Sequence, residues 1–200
     1  MLSRKLLGAA GHAARAGGGG SVPLGLTDPL LDEYGTYAAY LPKTIDITAY
    51  AGATVRPVFM HRIKTSGTAF YADIQLDNIT IGENNYNFES NSTGWYTTIS
   101  GSFSTYASIS SWAFVATVST AERWNRFSGA TGSSSTGNLG AASGSFYLYT
   151  ESSVPAALGD YFWLLGPEIT LPEDPIFTFY VGKQGDAIGD FKVYLDVISA

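Results

Sequence analysis

The chain has 200 residues, 45% of them hydrophobic and only 14% charged, with a formal net charge of -6. That length is one domain, or one domain with an arm, and is enough to bury a sizeable core. The sparse charge and high apolar content exclude a disordered chain, a coiled coil and an ordinary charged helical bundle. Thirteen Tyr, eleven Phe and four Trp accompany 23 Gly and long Ser/Thr tracts, the residues of pleated half-buried surfaces and of the turns between them. The expected fold class is therefore all-β. With no cysteine, disulfides, thiolate metal sites and Cys nucleophiles are excluded. No window approaches the eighteen consecutive apolar residues of a membrane-spanning helix, so no membrane partner is expected.

Residues 1–20, MLSRKLLGAAGHAARAGGGG, hold Arg4, Lys5 and Arg15 and no acid, which leaves 8 basic and 17 acidic side chains, or -9, on residues 21–200. An acidic body does not suit phosphate neutralisation, so no nucleic-acid partner is expected. The opening fits an organelle transit peptide better than a secretory signal, because Gly8, Gly11 and His12 interrupt its short apolar stretch; an untethered basic tail is a third reading. Glycine loses the most entropy on ordering, so Gly17, Gly18, Gly19 and Gly20 would hold one conformation only against a neighbouring subunit. On that reading Arg4, Lys5, Arg15 and the four glycines serve assembly.

Residues 30–41 place Tyr34, Tyr37 and Tyr40 at helix-like spacing, but Gly35 and Pro42 limit any helix, and the segment reads as connector. From Ile45 the period becomes two. Residues 55–64 set Val55, Pro57, Phe59, His61 and Ile63 on one face and Arg56, Arg62 and Lys64 on the other. Residues 70–81 alternate with Ala72, Ile74 and Leu76 on one side and Asp73, Gln75 and Asp77 on the other, until Asp77-Asn78 shifts the phase and Ile79 and Ile81 take over, the signature of a bulge. After a turn at 82–85, strands are expected at 86–89, 95–99, 112–118, 124–127, 145–150, 162–165, 176–181 and 191–197. Residues 131–144, TGSSSTGNLGAASG, form a long functional or packing loop. Many short strands with Gly-rich turns and no helical segment mean a β-sandwich or jelly roll.

The motifs resemble a family, the MAM-like domains of the concanavalin A-like jelly-roll class. Phe88-Glu89 with Gly94-Trp95, the Trp stretch at 124–127, Thr131-Gly132 with Thr136-Gly137, the strand at 143–149, the Leu-x-x-Pro turn at 164–167, the Phe-x-Phe-Tyr strand at 177–180 and the strand at 189–195 follow the family's order over about 110 residues. The family's closing pair of strands resembles residues 45–81, which here come first. The resemblance implies a circularly permuted jelly-roll β-sandwich with an extended N-terminal arm: an arm and connector at 1–42 and a domain at 43–200, with closing strands in 43–82 and the opening and middle strands in 86–198. Exchange of strands between subunits is the rival explanation of the same order.

Catalysis is not expected. His12 and His61 are the two histidines, and there is no Gly-x-Ser-x-Gly elbow beside which either could serve as base. Gly182-Lys183 lacks the upstream glycine of a phosphate loop. Asp73 and Asp77 have the spacing of a glycosidase carboxylate pair but no third acid. No cofactor is required; a calcium ion is the one candidate, held by Glu89 with Asp73 or Asp77 where the opening and closing strands would adjoin. The competing reading has these acids accepting turn N–H groups. Trp95 or Trp112 with Tyr147 and Tyr149 is the candidate sugar-stacking platform, against the alternative of a second packing layer or a subunit interface. Residues 2–8, LSRKLLG, resemble the openings of phage virion proteins. The expected role is a non-enzymatic virion structural protein, a capsid decoration or a tail or fibre subunit, with other virion proteins and further copies of itself as partners. A carbohydrate-binding adhesin is the alternative.

Overall fold

The computed structural model describes residues 24–97, 113–117, 123–137 and 140–200. Arg4, Lys5, Arg15 and Gly17, Gly18, Gly19 and Gly20, on which the assembly expectation rests, lie outside the described residues, as does Trp112. Alternation of apolar and polar residues builds two antiparallel sheets whose inner faces meet, a β-sandwich. With strands numbered along the chain, the first sheet takes β1 (Gly25–Leu26), β2 (Leu31–Tyr34), β4 (Thr54–Ile63), β7 (Tyr96–Thr97), β8 (Ala113–Phe114), β11 (Tyr161–Leu165), β12 (Ile169–Thr170) and β14 (Ile188–Ser199). The second takes β3 (Tyr37–Asp46), β5 (Gln75–Ile81), β6 (Asn84–Tyr86), β9 (Trp124–Ser128), β10 (Phe146–Thr150) and β13 (Ile176–Lys183).

The strands expected to close the framework are interior members of the sheets. β4 lies between β14 and β11, and β5 between β13 and β10, all within one chain. The phase shift in 70–81 is a bulge: the β5–β13 register slips between Thr178 and Tyr180, and opposite it Asn78 adopts φ 47°. Because the extra residue restores the pleat, Leu76 before it and Ile79 and Ile81 after it all reach the core.

Phe59 of β4 centres that core. Its ring stands 5.3 Å from Phe179, 5.8 Å from Phe177, 6.2 Å from Trp95 and 6.3 Å from Phe191, and full burial of a side chain of this size contributes about 1.5–3 kcal/mol. β4 also buries its other face, where Val58 and Met60 pack with Trp163, Leu165 and Tyr194. Arg56 and Arg62 share that face, as the alternation predicts, and pair with Glu168 and Asp196, and with Asp190.

The connector expectation is corrected. Residues 31–34 and 37–46 are β2 and β3, and β3 runs through residue 42, where the sequence reading ends the connector. Gly35, at φ 86°, donates its N–H to the Gly189 carbonyl and lets the chain cross from one sheet to the other. β3 shows no period-two burial because, among the described strands, it pairs with β13 alone at the sheet's edge and leaves most of its side chains in solvent.

Candidate functional site

The outer face of the second sheet carries polar and aromatic side chains that would ordinarily be wet. Gln75 and Asp77 of β5, Asn125 of β9, and Tyr147 and Tyr149 of β10 are all fully buried, because the β9–β10 connection folds across them. The contacts are specific. Tyr147 donates its hydroxyl hydrogen to the Gly129 carbonyl at 2.8 Å, and Tyr40 and Gln75 both donate to the Gly140 carbonyl, at 3.2 and 3.4 Å. Thr136 accepts the Asp73 N–H at 2.9 Å, and its hydroxyl donates to the Gln184 carbonyl at 3.0 Å.

Carboxylates tie down the end of the connection. Asp77 Oδ2 accepts the Ser143 N–H at 3.0 Å and its Oδ1 the Asn78 N–H at 2.7 Å. Burial first, with the charge on Glu89 adding to it, pushes this carboxyl up to about 6 against the pull of the N–H groups of Ser143, Asn78 and Ala142. Glu89 Oε1 accepts the N–H groups of Ser145 and Phe146, each at 2.9 Å, which hold it below the usual carboxylate range. Arg126 fixes the segment that bears Glu89 by donating to the carbonyls of Phe88 and Glu89, and its guanidinium lies 3.6 Å from the centre of the Phe146 ring. Gly144 sits at φ 69° against the Glu89 carboxylate, where a Cβ would collide. Asp73 is deeper: Oδ1 accepts the N–H of Ser152 at 3.0 Å and its hydroxyl at 2.6 Å, while Oδ2 is buried with no partner. Burial pushes Asp73 up to about 7 despite the two Ser152 bonds, and the Glu151 charge adds to the rise.

Each of the three acids accepts main-chain N–H groups, Asp73 from Ser152, Asp77 from Ser143 and Asn78, and Glu89 from Ser145 and Phe146, as Asp and Glu do in turns, and no group of three or more metal-ligating side chains forms among the described residues. One expectation is corrected here: Trp95, Tyr147 and Tyr149 do not make an exposed platform, since all three are fully buried. Trp95 lies inside the sandwich against Phe59, Phe88 and Tyr86. Tyr147 and Tyr149 lie on the opposite face of the second sheet, where Tyr149 donates to Glu151 at 3.0 Å. Their shared strand places the two tyrosines 6.0 Å apart, but the connection above them takes the space a sugar ring would need.

His61 is fully buried between the sheets, with Nδ1 3.3 Å from the Thr150 hydroxyl and its ring stacked on Phe162 at 5.5 Å. Burial first, and then the charge on Lys183, drive it down to about 3, so it is neutral in the fold. Lys183 is itself 1% exposed; its Nζ lies 3.1 Å from Glu33, which also pairs with Lys43. This Lys–Glu–Lys cluster joins β2 to β3 and β13, and the connector reading concealed it.

One open cleft, of about 540 Å³, borders the polar layer. Ala38, Ala39 and Tyr40 of β3 face Thr131, Ser134 and Gln184 across it, and among the described residues its lining carries no charged side chain. The Ser/Gly-rich stretch at 131–144 was the available sequence signal for one wall; the other wall lies on the missed strand. No protein-family model matches this chain, and neither a curated protein nor a solved structure matches it.

Proposed function

We propose that this chain is a non-enzymatic structural subunit of a virus particle, a capsid decoration or a tail or fibre component, that assembles with copies of itself and other virion proteins through its N-terminal arm and the surface of the sandwich. The observation that carries the reading is the use made of the ionisable groups. Asp77 and Glu89 cap the β9–β10 connection, Asp73 holds Ser152, and His61 is sealed and neutral. The three carboxylates are engaged in holding strands and connections together, which supports reading the chain as a scaffold whose work is done by its surface. The resemblance of the opening residues to phage virion proteins and the charge contrast between a +3 arm and a -9 body support the same reading. The permuted order inferred from the family resemblance belongs to this proposal too.

Deletion of residues 1–22 tests it. The shortened chain is expected to fold and to fail to enter the particle; unchanged incorporation overturns the arm's role. The second reading, a carbohydrate-binding module, is favoured by the hydroxyl- and amide-lined cleft beside Tyr40. A glycan array probed with and without calcium tests that reading, and the absence of binding in both arms removes it.

A further inference from the structure

Resting on the assembly reading above, we propose that the outer edge of β3 and the cleft beside it are the docking site for residues 4–11 of a second copy of this chain, added as an antiparallel strand.

β3 is ten residues long and ends its sheet: β13 pairs with one side, and no described strand pairs with the other. Such an edge presents unpaired N–H and C=O groups, which an extended segment can satisfy. Natural edges of this length are commonly blunted by charge or proline; here Pro42 withholds one N–H, while Lys43 is turned to Glu33 and Asp46 accepts from Thr48. What remains beside the edge is apolar: Leu41 is 39% exposed, Tyr180 40% and Ile176 53%.

The cleft beside the first half of β3 is walled by Ala38 and Ala39 on one side and by small hydroxyl residues on the other, and its volume of about 540 Å³ has room for an extended segment beside the strand. Residues 8–11 are Gly-Ala-Ala-Gly, and Leu6 and Leu7 precede them. Antiparallel pairing that sets Ala10 opposite Ala39 brings residues 8–11 along the cleft, Leu6 and Leu7 towards Leu41 and Tyr180, and Arg4 and Lys5 towards Asp46. Leucines meet the apolar part and cations the acid. The described chain starts at Leu24, which is 69% exposed. The 23 residues before it reach about 75 Å at roughly 3.3 Å each, against a body about 40 Å across for a domain of this length, so the arm is long enough to leave its own body.

Because the chain has no cysteine, engineered thiols report the contact cleanly. The full-length Ala10→Cys, Ala39→Cys double variant under mild oxidation is expected to give a ladder of covalent multimers on a non-reducing gel. The control, Ala10→Cys with Val154→Cys, whose second site is 83% exposed, is expected to stay monomeric. A crosslink confined to single chains overturns the second copy as occupant. No crosslink, together with loss of incorporation on deleting residues 1–22, overturns this docking site and leaves the assembly reading standing; no crosslink and unaffected incorporation overturn both. Ala39→Trp gives an independent measurement. With Ala39 exposed, the variant is expected to keep its unfolding midpoint and lose its multimers, and multimers that persist overturn the proposal.

Discussion

Replacing Asp73 with Asn removes one titration from the interior, and the structure sets both the sign and the size of the effect. The carboxyl has an ordinary value of 3.8 and stands near 7 in the fold, raised first by burial. A raised acid binds its proton more tightly folded than unfolded. Its favourable contribution is therefore complete below about 4 and is lost as the pH climbs towards 7. The span from 3.8 to about 7, at roughly 1.4 kcal/mol per pH unit, amounts to about 4 kcal/mol, a large share of the ~5–15 kcal/mol that holds a domain together. Because Asp73 is fully buried, solvent does not discount that figure. Asparagine keeps the acceptor for Ser152 but places an amide where Oδ2 has no partner, at a pH-independent cost of about 1–3 kcal/mol. Urea denaturation of the two proteins at pH 4 and pH 8 separates the effects. The stability of Asp73→Asn relative to the parent is expected to improve by about 4 kcal/mol between the two pH values, and the constant amide cost cancels in the comparison, as do the titrations of Asp77 and His61. A relative stability that moves by less than about 1 kcal/mol across this range refutes the assignment of a buried, disfavoured carboxylate.

Two further predictions rest on the same kind of argument. Glu33→Gln leaves Lys183 buried without its counter-charge and is expected to cost about 3 kcal/mol, whereas Lys183→Met removes the buried charge itself and is expected to cost less; denaturation midpoints with Lys183→Met below Glu33→Gln contradict this. At the β5 bulge, where Asn78 has φ 47°, Asn78→Gly is expected to be within about 0.5 kcal/mol of the parent and Asn78→Val to lose about 2 kcal/mol or more, since a β-branched residue does not tolerate that conformation. Equal melting temperatures for the two variants rule out a positive φ at that position.

The inner strands were legible because their signal is local. Val55, Pro57, Phe59, His61 and Ile63, then Ala72, Ile74 and Leu76, and later Phe177, Phe179 and Val181 repeat every second residue because one face of each strand meets the core. Even the bulge at Asn78 could be read, since one extra residue inverts the alternation in the chain itself. β3 gives no such signal: its edge position leaves most of its side chains wet, and no pattern in residues 37–46 records the pairing with β13. The site residues divide along the same line. Glu89 and Asp77 stand out as acids in the sequence, but whether they face an ion or cap N–H groups depends on where residues 143–146 come to rest.

Composition and alternation thus determined by themselves that the chain is all-β, which face of β4, β5 and β13 meets the core, and where the strand phase breaks, because each is settled by a residue and its near neighbours. The tertiary structure alone decided that Tyr147 and Tyr149 are sealed, that Trp95 is core, that Lys183 finds Glu33, and that β3 ends a sheet. These depend on segments far apart in the chain meeting in space, and burial by a distant connection leaves no periodic mark on the residues it covers.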